Sequence, residues 1–195
     1  ACAVRAQGRA AMRPGHSVLV MGSGLAGLLH VAVAGTLGAG FVAATDVSRP
    51  RLEAAIRMGA AAAWQAGDDV PARLRERMGG GLADLVIVST AAPGILGQAL
   101  ACVEPGGTVI MFALPDPGTR MDLDLHELWR SGIRLTSSYA GDRADHLAAL
   151  EILASGRIDV SPLVTHTLPL ASTGEGFRLV AAGGAALKVI VEPQT

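Results

Sequence analysis

The chain has 195 residues, 25 of them glycine, with hydrophobic residues at 50% and charged residues at 17%. That length buries a sizeable core for one main domain with an appendage and is short for two full domains. A formal net charge of −1 with aromatics at 3% provides neither the basic field nor the stacking rings that nucleic-acid binding uses, so nucleic acid is excluded as a partner.

Residues 1–13 read as the end of a helix, stopped by Arg13-Pro14-Gly15. An apolar strand begins near Ser17 and runs through Val18-Leu19-Val20-Met21 into Gly22-Ser23-Gly24-Leu25-Ala26-Gly27. A helix over about 24–37 follows, then a second apolar strand over 41–46 that ends on Asp46. Ser48 caps the next helix, which carries Pro50 in its first turn and Leu52, Ala55 and Ile56 on its apolar face, and Gly59 ends it. Residues 61–64 form a short third strand, Asp69 opens a helix that reaches Met78, and Gly79-Gly80-Gly81 breaks it. The unbroken apolar run 85–88 is a fourth strand. A helix over 93–103 leads to a turn at Glu104-Pro105-Gly106-Gly107 and a fifth strand at 108–112. A Pro-rich loop from Pro115 to Thr119 precedes a short amphipathic helix at 126–130, a sixth strand at 133–137 and a helix at 144–154. After Gly156 come a strand at 163–168, a helix at 171–182 and a strand at 187–191, a tail that needs partners the earlier residues do not supply.

Strands alternating with helices, most of the strands apolar on both faces, predict an α/β fold: a doubly wound, parallel, six-stranded Rossmann sheet in the order 3-2-1-4-5-6. Within it the stretch from Val18 to Asp46 reads as a dinucleotide-binding βαβ unit. Gly22 takes the backbone angles of a tight turn, Gly24 lacks the Cβ that would hold the main chain away from a pyrophosphate, and Gly27 lets helix and sheet approach. The helix opening near Gly24 turns its free N–H groups and positive dipole end to the phosphates. Asp46 accepts hydrogen bonds from both ribose hydroxyls of an adenosine and repels a 2′-phosphate, which selects NAD over NADP. Arg51 is a competing phosphate ligand and is given less weight than Asp46.

Other features carry no chemistry. Cys2 and Cys102 form no C-x-x-C and are read as small core residues, which fits a reducing, cytoplasmic setting. Ser17 to Thr45 holds no charged residue, yet six glycines, His30 and two strand-like ends assign it to a buried βαβ unit and not to a membrane span. No leader sequence opens the chain, and its start at Ala1 without a Met implies that something upstream has been removed. His126-Glu127-Leu128-Trp129-Arg130 lacks the second His of a zinc-protease helix. His16, His30, His146 and His166 are scattered, so they read as surface or core residues; Asp122 with Asp124, and Asp68 with Asp69, cap or solvate helix starts.

Taken in order, the blocks Arg13-Pro14-Gly15-His16-Ser17-Val18-Leu19-Val20, Arg51-Leu52-Glu53-Ala54-Ala55 with Met58-Gly59-Ala60, Ala83-Asp84-Leu85-Val86-Ile87, Val103-Glu104-Pro105-Gly106-Gly107-Thr108-Val109 and Gly156-Arg157-Ile158-Asp159-Val160 resemble the medium-chain, zinc-dependent alcohol and polyol dehydrogenases. The tail, with Leu163-Val164-Thr165-His166, Pro169-Leu170, Phe177 and Lys188-Val189-Ile190-Val191-Glu192-Pro193, is similar to that family's return into its catalytic domain. The resemblance implies hydride transfer between an alcohol or polyol and NAD at a catalytic zinc. It also implies that the zinc-holding segments lie in an N-terminal domain absent here, so this chain holds no metal and no catalytic residue and is inactive alone. A Glu-Pro-Leu stretch and a Gly-His-Glu segment are expected upstream.

Carried over by that resemblance, Gly22, Ser23, Gly24, Leu25, Ala26 and Gly27 hold the pyrophosphate, Asp46 the adenosine ribose and Arg51 the adenine side. Thr90 and Ala91 lie along the adenosine and ribose, and Phe112, Ala113 and Leu114 present main-chain groups to the nicotinamide carboxamide. Ser137 and Ser138 are further candidates, and Lys188 matches a basic position that reaches the pyrophosphate. The chain divides into a leading helix (1–15), an NAD-binding domain (16–157) and a C-terminal segment (158–195), and the family's habit of pairing cofactor domains implies a homo-oligomer through the edge near the sixth strand. Two alternatives are weighed: a stand-alone NAD-binding regulatory or accessory module, which has no need of the tail, and an S-adenosylmethionine methyltransferase, which the third glycine and the Arg51 block disfavour.

Overall fold

A computed structural model describes residues 1–113, 116–184 and 186–194. Its centre follows from two runs with no polar side chain: Val18 to Met21 are each 0% exposed, and Leu85 to Val88 are 3% exposed or less. Strands covered on both faces belong in the middle of a sheet. Accordingly β1 (Ser17–Met21) lies between β2 (Phe41–Asp46) and β4 (Ala83–Val88), parallel to both. β3 (Ala62–Gln65) continues the sheet beyond β2, and β5 (Val103–Met111) and β6 (Arg134–Ser137) continue it beyond β4, in the predicted order 3-2-1-4-5-6.

Alternation along the strands sorts the core into two layers. Val18, Val20, Leu85, Ile87 and Ile110 face α1 (Cys2–Arg9), α2 (Leu25–Thr36) and α3 (Arg49–Arg57). Leu19, Met21, Val86, Val88 and Val109 face α4 (Val70–Arg77) and α5 (Ile95–Ala101). α6 (Leu125–Ser131) leads into β6, and α7 (Arg143–Ala154) packs on α1, where Arg5 bridges Asp142 and Asp145 at 3.0 and 2.8 Å.

The tail forms a second, two-stranded parallel sheet from β7 (Val164–Pro169) and β8 (Lys188–Glu192), with α8 (Thr173–Ala182) across it. Leu163 and Leu187 fasten it to the α2 side of the core, while Phe177 is 73% and Val180 56% exposed on the outer face of α8. Among the described residues no helix is long and apolar enough to cross a membrane.

Several local expectations change. Cys2 is exposed, because the buried stripe of α1 runs through Ala3, Ala6, Gln7 and Ala10 and leaves Cys2 one residue off it. The first helix ends at Arg9, with Ala11 at a left-handed φ of 52°, before the Arg13-Pro14-Gly15 stop. Ser48 occupies the N-cap of α3 without capping it, since its side chain accepts no bond there, and Ile56 points to solvent while Leu52 and Ala55 are buried. The turn expected at Glu104–Gly107 is a bulge inside β5. Val103 pairs with Ala83 and Thr108 with Leu85, so four residues loop out against Asp84 alone. Asp69 and Asp124 cap α4 and α6 as expected, accepting from Ala72 and Glu127 N–H at 3.0 Å each.

Candidate functional site

The order 3-2-1-4-5-6 places β1 and β4 side by side while their following helices leave toward opposite faces, α2 to one and α5 to the other. That divergence opens a crevice at the carboxyl ends of the strands, which is where ligands of open α/β sheets bind. The glycine turn lies on it. Gly22 has φ of 94°, donates its N–H to Thr45 O at 2.9 Å, and would place a Cβ 2.9 Å from Thr90 Cβ. A Cβ on Gly27 would fall 1.8 Å from Gly22 O, so the first turn of α2 sits directly on the strand end. Gly24 differs: a Cβ there meets nothing within 4 Å, which leaves open space at the N-cap of a twelve-residue helix with no side-chain cap. A backbone N–H cradle with room before it is what a pyrophosphate needs.

Asp46 ends β2 beside this turn and is 6% exposed. Its Oδ2 accepts Ser23 N–H and its Oδ1 accepts Ser48 N–H, both at 2.8 Å, so the carboxylate knits the glycine turn to β2 and α3. Each oxygen keeps a second lone-pair direction for a hydroxyl donor. Arg51 Nη1 lies 4.0 Å from Asp46 Oδ2, and Arg51 Nε is buried without a partner. A Cβ on Gly183 would come 3.7 Å from Arg51 Nη2, so the turn after α8 also reaches this corner. Ser23 is turned inward: it is fully buried, with Oγ on Thr45 O at 3.2 Å, and offers its side chain to no ligand.

Past β4, Ser89 donates its N–H to Met21 O at 2.8 Å, which brings Thr90 up against Gly22. Phe112 and Ala113 both donate their N–H groups to Val88 O at 3.0 Å, so those two donors are committed within the sheet. Leu114 lies outside the described residues. Thr90, Ala91 and Ala113 share a groove of about 540 Å³ whose apolar wall includes Ile95, Met111 and Leu135. At the end of β6 the two serines differ in setting. Ser137 is exposed, whereas Ser138 is 8% exposed, donates N–H to Met111 O at 3.2 Å, and keeps a buried Oγ with no partner. Lys188 opens β8, exposed, and the register of that strand is with β7 and not with the glycine turn.

The sequence reading missed the buried pair Gln7 and His30 set against the half-buried Phe112 behind this edge, and the bonds that Ser17 N–H and Oγ donate to Asp84 Oδ2 at 2.8 and 2.7 Å, which tie β4 to β1 at the other edge. No spacing motif announces either. Burial holds the His30 pKa down to about 4. The Cys102 thiol, likewise buried, is pushed up to about 12 and stays protonated. Among the described residues no three His, Cys, Asp or Glu side chains are placed to hold a metal ion.

Comparison with known proteins agrees with this fold. Residues 26–155 match the family model described as zinc-binding dehydrogenase. A probable D-xylulose reductase A of Aspergillus terreus is 30% identical over 181 residues, which cover 90% of this chain and 50% of that protein. The L-threonine 3-dehydrogenase of Bacillus velezensis is 31% identical over 187 residues, covering 92% of this chain and 52% of that protein. Among solved structures, alcohol dehydrogenase TADH from Thermus sp. ATN1 superposes with a TM-score of 0.84 at 31% identity, over 98% of this chain and 56% of its own. The chain thus spans about half the length of the curated relatives it matches.

Proposed function

We propose that this chain, which belongs to the zinc-binding dehydrogenase family, supplies the NAD-binding half of an enzyme that transfers hydride between an alcohol or polyol and NAD. The observation that carries the reading is the juxtaposition of the open Gly24 cradle with Asp46 at adjacent strand ends. The pyrophosphate takes the N–H groups at the start of α2, from Gly24 through Leu25 and Ala26, and the adenosine ribose takes the free lone pairs of Asp46. Arg51 flanks the adenine side. Thr90 and Ala91 line the middle of the cofactor, and Phe112, Ala113 and Ser138 line its nicotinamide end, with Ser138 preferred to Ser137 for its unpartnered hydroxyl. Lys188, exposed at the start of β8, is assigned as a countercharge to the pyrophosphate. When bound, the nicotinamide supplies the hydride acceptor; the residues of this chain bind and orient it.

The side chains described here do not fit a catalytic zinc, so no metal-dependent step is assigned to this chain. Metal and substrate oxidation belong, in this reading, to a region outside it, and the chain alone is inactive. Coverage of half of each relative supports this, as do the outward Phe177 and Val180 of α8, which suit a segment (158–195) that completes another domain. Residues 16–157 are then the cofactor domain and 1–15 the helix leading into it. The reading includes self-association at the edge strand β6 and a cytoplasmic setting.

Titration with both cofactors tests it. The carboxylate of Asp46 opposes a 2′-phosphate, so NAD is expected to bind about tenfold or more tightly than NADP, and Asp46→Asn to narrow that gap chiefly by weakening NAD. Tighter binding of NADP by the unaltered chain would sink the assignment.

A further inference from the structure

Behind the cofactor edge, Gln7 of α1, His30 of α2 and Phe112 at the end of β5 form a cluster that the function just described does not use. Gln7 and His30 are both 0% exposed. Gln7 Nε2 donates to the His30 carbonyl at 2.9 Å and lies 3.3 Å from His30 Nδ1. With the amide as donor Nδ1 accepts, which assigns the ring proton to Nε2. The imidazole meets the Phe112 ring at a centroid distance of 4.4 Å with the planes at 86°, the edge-to-face geometry that aromatic quadrupoles favour.

The cluster is costly. His30 Nε2 and Gln7 Oε1 are both buried with no hydrogen-bond partner. Apolar side chains of the same shape would fill this space without leaving polar atoms unsatisfied. What the polar pair provides instead is orientation, since Gln7 holds both the backbone and the ring of His30, and the ring in turn packs at right angles to that of Phe112. The N–H groups of Phe112 and Ala113 are already fixed on Val88 O, so the Phe112 ring is the part of this strand end that His30 controls.

We propose that His30 is a positioning residue for the cofactor site: clamped by Gln7, its ring fixes Phe112 and so shapes the carboxyl end of β5 on which the nicotinamide rests. This rests on the cofactor reading above. One helix then serves both halves of the ligand, α2 presenting its N-terminus to the pyrophosphate and, from His30 further along, setting the nicotinamide end.

Calorimetric titration of the whole chain with NADH and with ADP-ribose, which lacks the nicotinamide, separates positioning from simple structural loss. His30→Leu keeps bulk and removes the ring; it is expected to lower NADH affinity about fivefold while ADP-ribose affinity stays within about twofold. Gln7→Leu is expected to act in the same direction, and it carries the same comparison if His30→Leu does not fold. His30→Phe, which returns a ring to Phe112, is expected to recover NADH affinity to within about twofold of the unaltered chain. Equal losses for both ligands, or none for either, overturn the proposal. Failure of the unaltered chain to bind ADP-ribose overturns the cofactor reading itself, and the role of His30 with it.

Discussion

A single Cβ distinguishes the three glycines of the turn. At Gly27 it would strike Gly22 O at 1.8 Å, a backbone atom that cannot swing aside, whereas at Gly24, with φ of −68°, it would enter empty space. Gly27→Ala is therefore expected to destabilise the fold by about 3 kcal/mol. Gly24→Ala should leave thermal unfolding unchanged and weaken NADH binding about tenfold, because the methyl occupies ligand space. Equal behaviour of the two variants in melting and binding would contradict the assignment. These glycines and Asp46 were readable from the sequence because each answers a backbone or charge requirement at a fixed spacing. The inward bonds of Ser23 and Asp46 were not, since a side chain that bonds a backbone N–H 23 residues away leaves no periodic trace. The buried His30 is a residue of the same kind, and it predicts a pH response. Its folded pKa of about 4 lies below the ordinary 6.5, so between those values the unfolded chain takes up a proton that the folded chain refuses. Stability should fall as pH drops below about 6.5 and level off near 4, a loss on the order of 3 kcal/mol that His30→Leu abolishes. Urea unfolding at pH 7 and pH 4.5 reads it, and an equal loss in His30→Leu would assign the effect elsewhere.

At the level of elements, apolar runs and punctuation placed the central strands β1, β2 and β4 within a few residues, because a strand buried on both faces has no other composition open to it. The failure at Glu104–Gly107 is instructive. A Pro-Gly-Gly sequence codes for a break, and the chain does break step there, with Gly106 at φ of 77°, yet Val103 before it already pairs with Ala83. Close approach keeps Gly107 glycine: a Cβ would sit 2.7 Å from Val103 Cγ2 and 2.9 Å from Asp84 O. Local signals told of the departure from regularity and not that the partner strand resumes on both sides of it. β6 poses the opposite case, a regular strand paired on one side only, to β5. Open edges template further pairing. The neighbouring α6 adds Leu125 and Trp129, 70% and 80% exposed and one turn apart. Sedimentation is expected to show a dimer, and Trp129→Glu to weaken its association by about tenfold or more, as loss of a buried aromatic anchor does. A chain monomeric at all concentrations would refute pairing at this edge.

At the scale of the whole molecule, a sheet domain covered on both faces stands beside a tail whose helix leaves apolar side chains exposed. Val18 to Met21 and Leu85 to Val88 are covered from both sides, whereas Phe177, Val180 and Leu170 around α8 are 73%, 56% and 57% exposed, although the two strands beside α8 pair in parallel. The sequence told of this asymmetry through the change of rhythm after Gly156, and among the described residues nothing covers the outer face of α8. Function divides the same way. In the proposed reading, cofactor recognition needs only the carboxyl edge of the main sheet, where the glycine turn and Asp46 are held by bonds within this chain. Alcohol oxidation at a zinc needs converging ligands, and none of the described side chains converge in that way. The purified chain is therefore expected to bind NADH, to retain no stoichiometric zinc by metal analysis, and to oxidise no alcohol with NAD above the uncatalysed rate. Activity should appear only when the chain is joined to a region that carries metal ligands, and that region should protect Phe177 and Val180 from solvent in footprinting. Turnover by the 195-residue chain alone would show that the division is drawn in the wrong place.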